Sequence, residues 1–229
     1  MSVAGILNLD KPAGISSARA VARVKRLLPR GVRVGHAGTL DPFATGVLLI
    51  LIGPATRNCE RLMDQGKTYE TTVRFGATTA TDDPESPPQP VVVEQIPTPD
   101  QIADAVSKFV GTIRQRPPIY SAMKVAGRRA YALARRGIQP KLFERDVRID
   151  AIEILEYAWP NLRLRVDCGR GTYIRALARD LGEALCVGGY LTQLRRTRVG
   201  DFRAENAATL EQLTSENLAA HLHPPLPSL

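Results

Sequence analysis

A chain of 229 residues, 44% hydrophobic and 24% charged, has the balance of a globular protein and enough length to bury one large core or two small ones. No run of about 20 apolar residues occurs, and the first residues lead directly into a strand-like Ile6-Leu7-Asn8-Leu9. Neither a helical membrane span nor a signal peptide is therefore expected, and a cytoplasmic protein is. Cys59, Cys168 and Cys186 are odd in number, widely spaced and without a zinc-ligand pattern, so they are expected to be reduced and buried.

The net charge of +8 is distributed in blocks. Seven Lys or Arg and no acid lie from Lys11 to Leu40, and nine with no acid from Ala105 to Phe143. From Asn161 to Arg203 nine Arg face four acids, whereas Asp82 to Asp104 is acidic with no Lys or Arg. Segregation of this kind makes a one-signed surface suited to polyphosphate, and arginine offers paired contacts to phosphate oxygens.

In chain order, Ala20, Val21, Val24, Leu27 and Leu28 fall at helical spacing, capped by Ser16 or Ser17 and stopped by Pro29. Arg19, Arg23, Arg26 and Arg30 occupy the other side as a basic ridge. A glycine-bracketed loop carrying Asp41 follows, then an apolar strand or helix from Val47. Tyr69 to Phe75 alternates as a half-buried strand does. Six prolines from Pro84 to Pro99 mark an extended connection. The spacing next predicts a helix capped by Thr98, with Ile102, Ala103, Val106, Phe109 and Val110 toward the core.

A short helix is expected through Tyr131, Leu133 and Arg136, then strands at about Val147 to Leu155 and Leu162 to Cys168. Gly169-Arg170-Gly171 turns the chain into a helix with Ile174, Leu177, Ala178, Leu181 and Leu185 on its buried stripe. The last residues, His221 to Leu229, contain three prolines and are expected to fray.

Familiar chemical motifs fail. Gly66-Lys67-Thr68 lacks the glycine that a phosphate-binding loop requires at position 61, and Gly169-x-Gly171 lacks the rest of a dinucleotide fingerprint. His36 is the only histidine before the tail, which disfavours metal chemistry and a Ser-His-Asp triad. What remains is one carboxylate fixed by Pro42 in a flexible-backbone loop, with tyrosines, arginines and a basic surface. Taken alone, an Asp-Pro pair reads as an ordinary turn.

Five segments occur in order: Asn8-Leu9-Asp10-Lys11-Pro12-x-Gly14-x-Ser16-Ser17, Gly35-His36-x-Gly38-Thr39-Leu40-Asp41-Pro42-x-Ala44-Thr45-Gly46, Lys67-x-Tyr69, Pro118-x-Tyr120-Ser121-Ala122-Met123-Lys124 and Gly171-Thr172-Tyr173-Ile174-Arg175. In this register the chain resembles, from about Gly5 to Phe202, the catalytic domain of the TruB-type tRNA pseudouridine synthases. The resemblance implies an α+β pseudouridine synthase fold, a mixed, mostly antiparallel sheet with helices and loops around a central cleft. It also implies isomerisation of uridine 55 in the tRNA T arm to pseudouridine, without cofactor or metal.

By the same resemblance Asp41 acts at the sugar, as a nucleophile or by taking the 2′ proton; Arg175 keeps it ionised; and Tyr69 stacks on the base and helps with the C5 proton. His36 fills the space vacated by a flipped nucleotide. Tyr173 and Leu194 line the uracil pocket, with a core role equally open for both. Lys11 matches a lysine-proline motif read as structural support or RNA contact, and Arg19 and Arg23 are expected on the RNA track.

Two departures from the family pattern stand out. Thr79-Ala80-Thr81-Asp82-Asp83 loses one acid of a Thr-Asp-Thr-x-Asp loop. Only 27 residues follow Phe202, too few for an RNA-binding PUA domain, so residues 1–205 are expected as the catalytic domain and 206–229 as an extension. A monomer is expected. The same chemistry on another RNA, or a tRNA-binding and folding module, are the competing readings; a binder has no need of a carboxylate facing phosphates.

Overall fold

The computed structural model describes residues 4–121, 123–125, 128–129, 133, 137–138 and 142–226. Its first elements are β1 (Gly5–Lys11), α1 (Ser17–Lys25), β2 (Val34–Ala37), β3 (Thr45–Ile52), α2 (Cys59–Met63) and β4 (Lys67–Phe75). After the short β5 (Ala77–Thr78) and β6 (Gln89–Pro90) come α3 (Pro99–Ser107), β7 (Gly111–Gln115), β8 (Lys124–Val125) and β9 (Arg128–Arg129). The remainder is β10 (Arg145–Ala158), β11 (Asn161–Cys168), α4 (Ile174–Ala184), β12 (Gly189–Val199), β13 (Phe202–Arg203) and β14 (Leu222–His223).

The chain forms two compact units, one of residues Met1–Tyr69 with Leu194–Leu229 and the other of Glu70–Gln193. In the first, β3 is buried along nearly its whole length, as expected of the continuous apolar run Val47-Leu48-Leu49-Ile50-Leu51-Ile52. It pairs antiparallel with β1, Ile6 opposite Leu51 and Asp10 opposite Val47, and with β2. It pairs in parallel with β12, where Arg196 lies opposite Gly46. Ile6, Val47, Leu49, Leu51, Leu62 and Val199 form a buried cluster with Ala37 and Ala55.

Ser16 caps α1 by accepting from the Arg19 amide at 3.2 Å, and the helix ends at Lys25, one turn before Pro29. Leu27 and Leu28 follow in a looser turn, closed by amide bonds to the Val24 and Lys25 carbonyls. Of the tail expected to fray, residues 221–226 are described and pair within the first unit, while 227–229 lie outside the described residues. Ile6 and Leu7 pair with His223 and Leu222, and the Leu226 amide donates to Asn58 Oδ1 at 3.2 Å.

In the second unit the strand order is β4, β11, β10, β7, with β10 antiparallel to both of its neighbours. The 14-residue β10 is longer than expected and passes two register shifts, at Ile149/Ala151 and Ile154/Glu156. The helix α3 has the expected capping box of Thr98 and Gln101. It stops at Ser107, so Ile102, Ala105 and Val106 are buried while Ala103 and Val110 are exposed, contrary to the expected stripe. The stripe of α4 is as expected through Leu181. Gly182 is obligatory there, because a Cβ would stand 2.3 Å from the Gly189 nitrogen.

The short helix expected through Tyr131 and Arg136 lies for the most part outside the described residues. Among the described residues no helix is long and apolar enough to cross a membrane. Cys168 is buried and Cys59 half-buried, but Cys186 is exposed, correcting the expectation for that residue.

Candidate active site

Asp41 lies half-buried in the loop between β2 and β3, and the backbone on both sides of it is tied down by side-chain hydrogen bonds. The Ser17 hydroxyl accepts from the Leu40 amide at 2.8 Å and donates to the Leu40 carbonyl at 2.9 Å. The Pro42 carbonyl accepts from the Gly14 amide at 2.9 Å and from Lys11 Nζ at 3.3 Å. Gly38 turns the loop with φ +88°, and its carbonyl accepts from Arg196 Nη2 at 3.0 Å.

Lys11 was expected among the substrate-binding residues, and its placement corrects that expectation toward the supporting role. The residue is 0% exposed, and its ammonium also donates to the carbonyls of Pro12 and Ile15, both at 2.8 Å. A lysine so enclosed offers RNA nothing.

Five more expected residues belong to this unit. His36 is half-buried on β2 opposite Ile50, and its carbonyl accepts from the Cys59 thiol at 3.6 Å. Tyr69 on β4 is 7% exposed, and Leu194 on β12 is also buried. Arg19 and Arg23 are exposed on α1, followed by exposed Lys25, Arg26, Arg30 and Arg33, so the basic ridge exists as a solvent-facing surface.

Arg175 and Tyr173 lie in the second unit, at the start of α4. Arg175 and Asp83 form an ion pair at 3.1 Å with side chains only 3% and 2% exposed. Its guanidinium also donates to the carbonyls of Thr81 and Tyr120, each at 2.8 Å. Asp83 accepts further from the Thr81 hydroxyl and, at 3.0 Å, from the Glu85 amide. The position where an acid is lost, Ala80, is exposed, and the acid that organises this loop is the retained Asp83.

One turn along the helix, Arg179 reaches Asp82 at 3.2 Å, Asp180 at 2.7 Å and the Arg116 carbonyl at 2.9 Å. Burial pushes the Asp82 carboxyl up to about 6, despite the opposing charges of Arg179 and Arg175. Burial raises Asp180 as well, again opposed by Arg179.

Tyr173 is half-buried and held from two sides. Gln115 brackets its backbone, accepting from the amide at 2.8 Å and donating to the carbonyl at 3.1 Å. The Arg145 guanidinium lies 5.1 Å from the ring centroid and also donates to the Gly171 carbonyl. Arg196, Ser17, Asp83, Gln115 and Arg145 were not anticipated as site residues, and the run Arg195-Arg196-Thr197-Arg198 carries no local signal that Arg196 alone is enclosed.

Among solved structures the fold is similar to that of a Cbf5-Nop10-Gar1 complex, with a TM-score of 0.73 and 32% identity over 96% of this chain. It is similar also to an H/ACA RNP bound to a substrate RNA containing 2′-deoxyuridine, with a TM-score of 0.65 and 31% identity over 90% of this chain. The chain spans 60% and 51% of those two matched chains. The α+β pseudouridine synthase fold is thereby established.

Residues 25–174 match the family described as TruB family pseudouridylate synthase (N terminal domain), and residues 175–224 match the tRNA pseudouridylate synthase B C-terminal domain. Proteins named tRNA pseudouridine synthase B are 49% identical in Cupriavidus metallidurans, covering 93% of this chain and 68% of the relative, and 44% identical in Aromatoleum aromaticum, covering 97% and 72%. The chain belongs to the TruB family of pseudouridylate synthases.

Proposed function

We propose that this protein isomerises uridine to pseudouridine in tRNA, at position 55 of the T arm, with Asp41 as the acting carboxylate. The reaction breaks the N1–C1′ bond, turns the uracil, joins C5 to C1′ and releases the C5 proton. One ionised carboxylate can carry the sugar step, by attack at C1′ or by taking the 2′ proton. The observation that supports the reading most is the Asp41 loop, whose backbone is held at Gly38, Leu40 and Pro42 while the acid itself stays half-exposed.

Tyr69 supplies a ring for the base, His36 a planar group for the vacated stack, and Tyr173 and Leu194 the apolar walls. Arg19 and Arg23 contact backbone phosphates, so affinity depends steeply on salt. Arg175 enters through the family motif, as the cation whose loss cuts turnover strongly. The protein acts as a cytoplasmic monomer and needs no cofactor or metal.

The test is tritium release from unmodified tRNA labelled at uridine C5. About one tritium per tRNA is expected from the native chain and none from Asp41→Asn, with RNA binding retained. Native-like release by the variant would remove Asp41 from its role. Binding without release by the native chain would favour a tRNA-binding and folding module.

A further inference from the structure

We infer that Arg196 is a positioning residue for the reaction, a clamp that closes both ends of the Asp41 loop. The inference rests on the proposed isomerisation by Asp41. Arg196 is 1% exposed, and its guanidinium is spent on carbonyls: Nε donates to Val47 at 2.7 Å, Nη2 to Gly38 at 3.0 Å and Nη1 to Thr39 at 3.4 Å. Among the described residues no carboxylate lies within ion-pair distance of it. Gly38 and Thr39 are the entry to the loop and Val47 is just past its exit, so one side chain spans the segment that presents Asp41.

The backbone of Arg196 is fixed by the same segment. It lies opposite Gly46, and a Cβ at Gly46 would stand 2.2 Å from the Arg196 carbonyl oxygen. Gly46 has φ +100°, so glycine serves there both for the close approach and for the conformation. Strand β12 is thus seated against β3 at the residue whose side chain reaches back to the loop. A planar fork of donors suits three divergent carbonyls; an ammonium has no such spread.

A buried cation without a carboxylate is expensive to keep if packing is its only purpose. Here its charge is solvated by the carbonyls that lead to the acid. Displacing a reacting group by about 1 Å can cost on the order of 100-fold in rate. Removing the clamp should therefore appear in turnover rather than in affinity for RNA.

The experiment compares tritium release and tRNA binding by the native chain, Arg196→Lys and Arg196→Met, with folding checked by circular dichroism. Expected are a fall in kcat of about 100-fold for Arg196→Met, a smaller one of about 10-fold for Arg196→Lys, and KM within about 3-fold of native. A folded Arg196→Met with native kcat overturns the inference, as does a change confined to KM. Should neither variant fold, Ser17→Ala decides, because it frees Leu40 within the same loop: a fall in kcat of about 10-fold at unchanged KM supports the clamp, and native kcat overturns it. Turnover missing from the native chain overturns the proposed function and the clamp with it, whereas native turnover retained by the folded variants overturns the clamp alone.

Discussion

The Asp41 loop and the Asp82–Asp83 loop are both acidic turns, but they are built with opposite chemistry. At Asp41 a lysine, an arginine and a serine fix the loop, all bonded to backbone carbonyls or amides. At Asp83 the acid is itself the fixing group, closed on Arg175 and on the Thr81 hydroxyl. The loop of the acid proposed to act is fixed through backbone groups on either side of it, whereas Asp83 fixes its loop by its own carboxylate.

The contrast can be broken most severely at Gly46. Gly46→Ala should cost more than about 4 kcal/mol, since neither the backbone oxygen of Arg196 nor the positive φ can give way; urea denaturation should find it unfolded or nearly so. Asp83→Ala should cost about 3 to 5 kcal/mol by stranding the Arg175 charge in the interior. Asp83→Ala at native stability would mean that the ion pair with Asp83 is not what keeps Arg175 in the interior.

A smaller effect concerns pH. The Asp82 carboxyl is raised to about 6 from an ordinary value of 3.8, so folding favours its protonated form. The stability it lends is complete below about pH 4 and is lost as pH rises through about 6. Asp82→Asn keeps a side chain tolerant of the φ of +58° and removes the ionisation. Relative to native, the variant should gain stability between pH 4 and pH 7 by up to about 3 kcal/mol, read from urea midpoints at each pH. A gap that does not change with pH would show that Arg179 holds Asp82 ionised.

The smallest expected effect on folding is at the surface. Arg19→Ala with Arg23→Ala should leave stability within about 0.5 kcal/mol of native, yet weaken tRNA binding and flatten its dependence on salt. An unchanged slope would move the RNA track off α1.

Much of the loop around Asp41 was legible, because glycine and proline announce backbone geometry directly. The alternating strands and the capping box of Thr98 and Gln101 were legible for the same local reason. Partnership was not. Lys11 could be read as structural support or as an RNA contact, and the carbonyls of Pro12, Ile15 and Pro42 that make its burial tolerable come from separate stretches of chain. Arg195 and Arg196 are adjacent and alike in sequence, yet the first pairs with Asp10 at 2.7 Å and is half-exposed while the second is enclosed. Asp82 and Asp83 are likewise neighbours, and no local pattern tells which will take Arg175. Helix ends were misplaced where stops were read from proline alone, as at Lys25.

The short pairing of Leu222 and His223 with Ile6 and Leu7 has a consequence for solubility. Strand β1 is almost wholly buried and apolar at Ile6, Leu7 and Leu9, and an open row of amides along it would template the addition of any extended chain. By occupying those hydrogen bonds with two residues, and following them with Pro224 and Pro225, which have no amide to donate, the protein blunts an edge at which aggregation would otherwise begin.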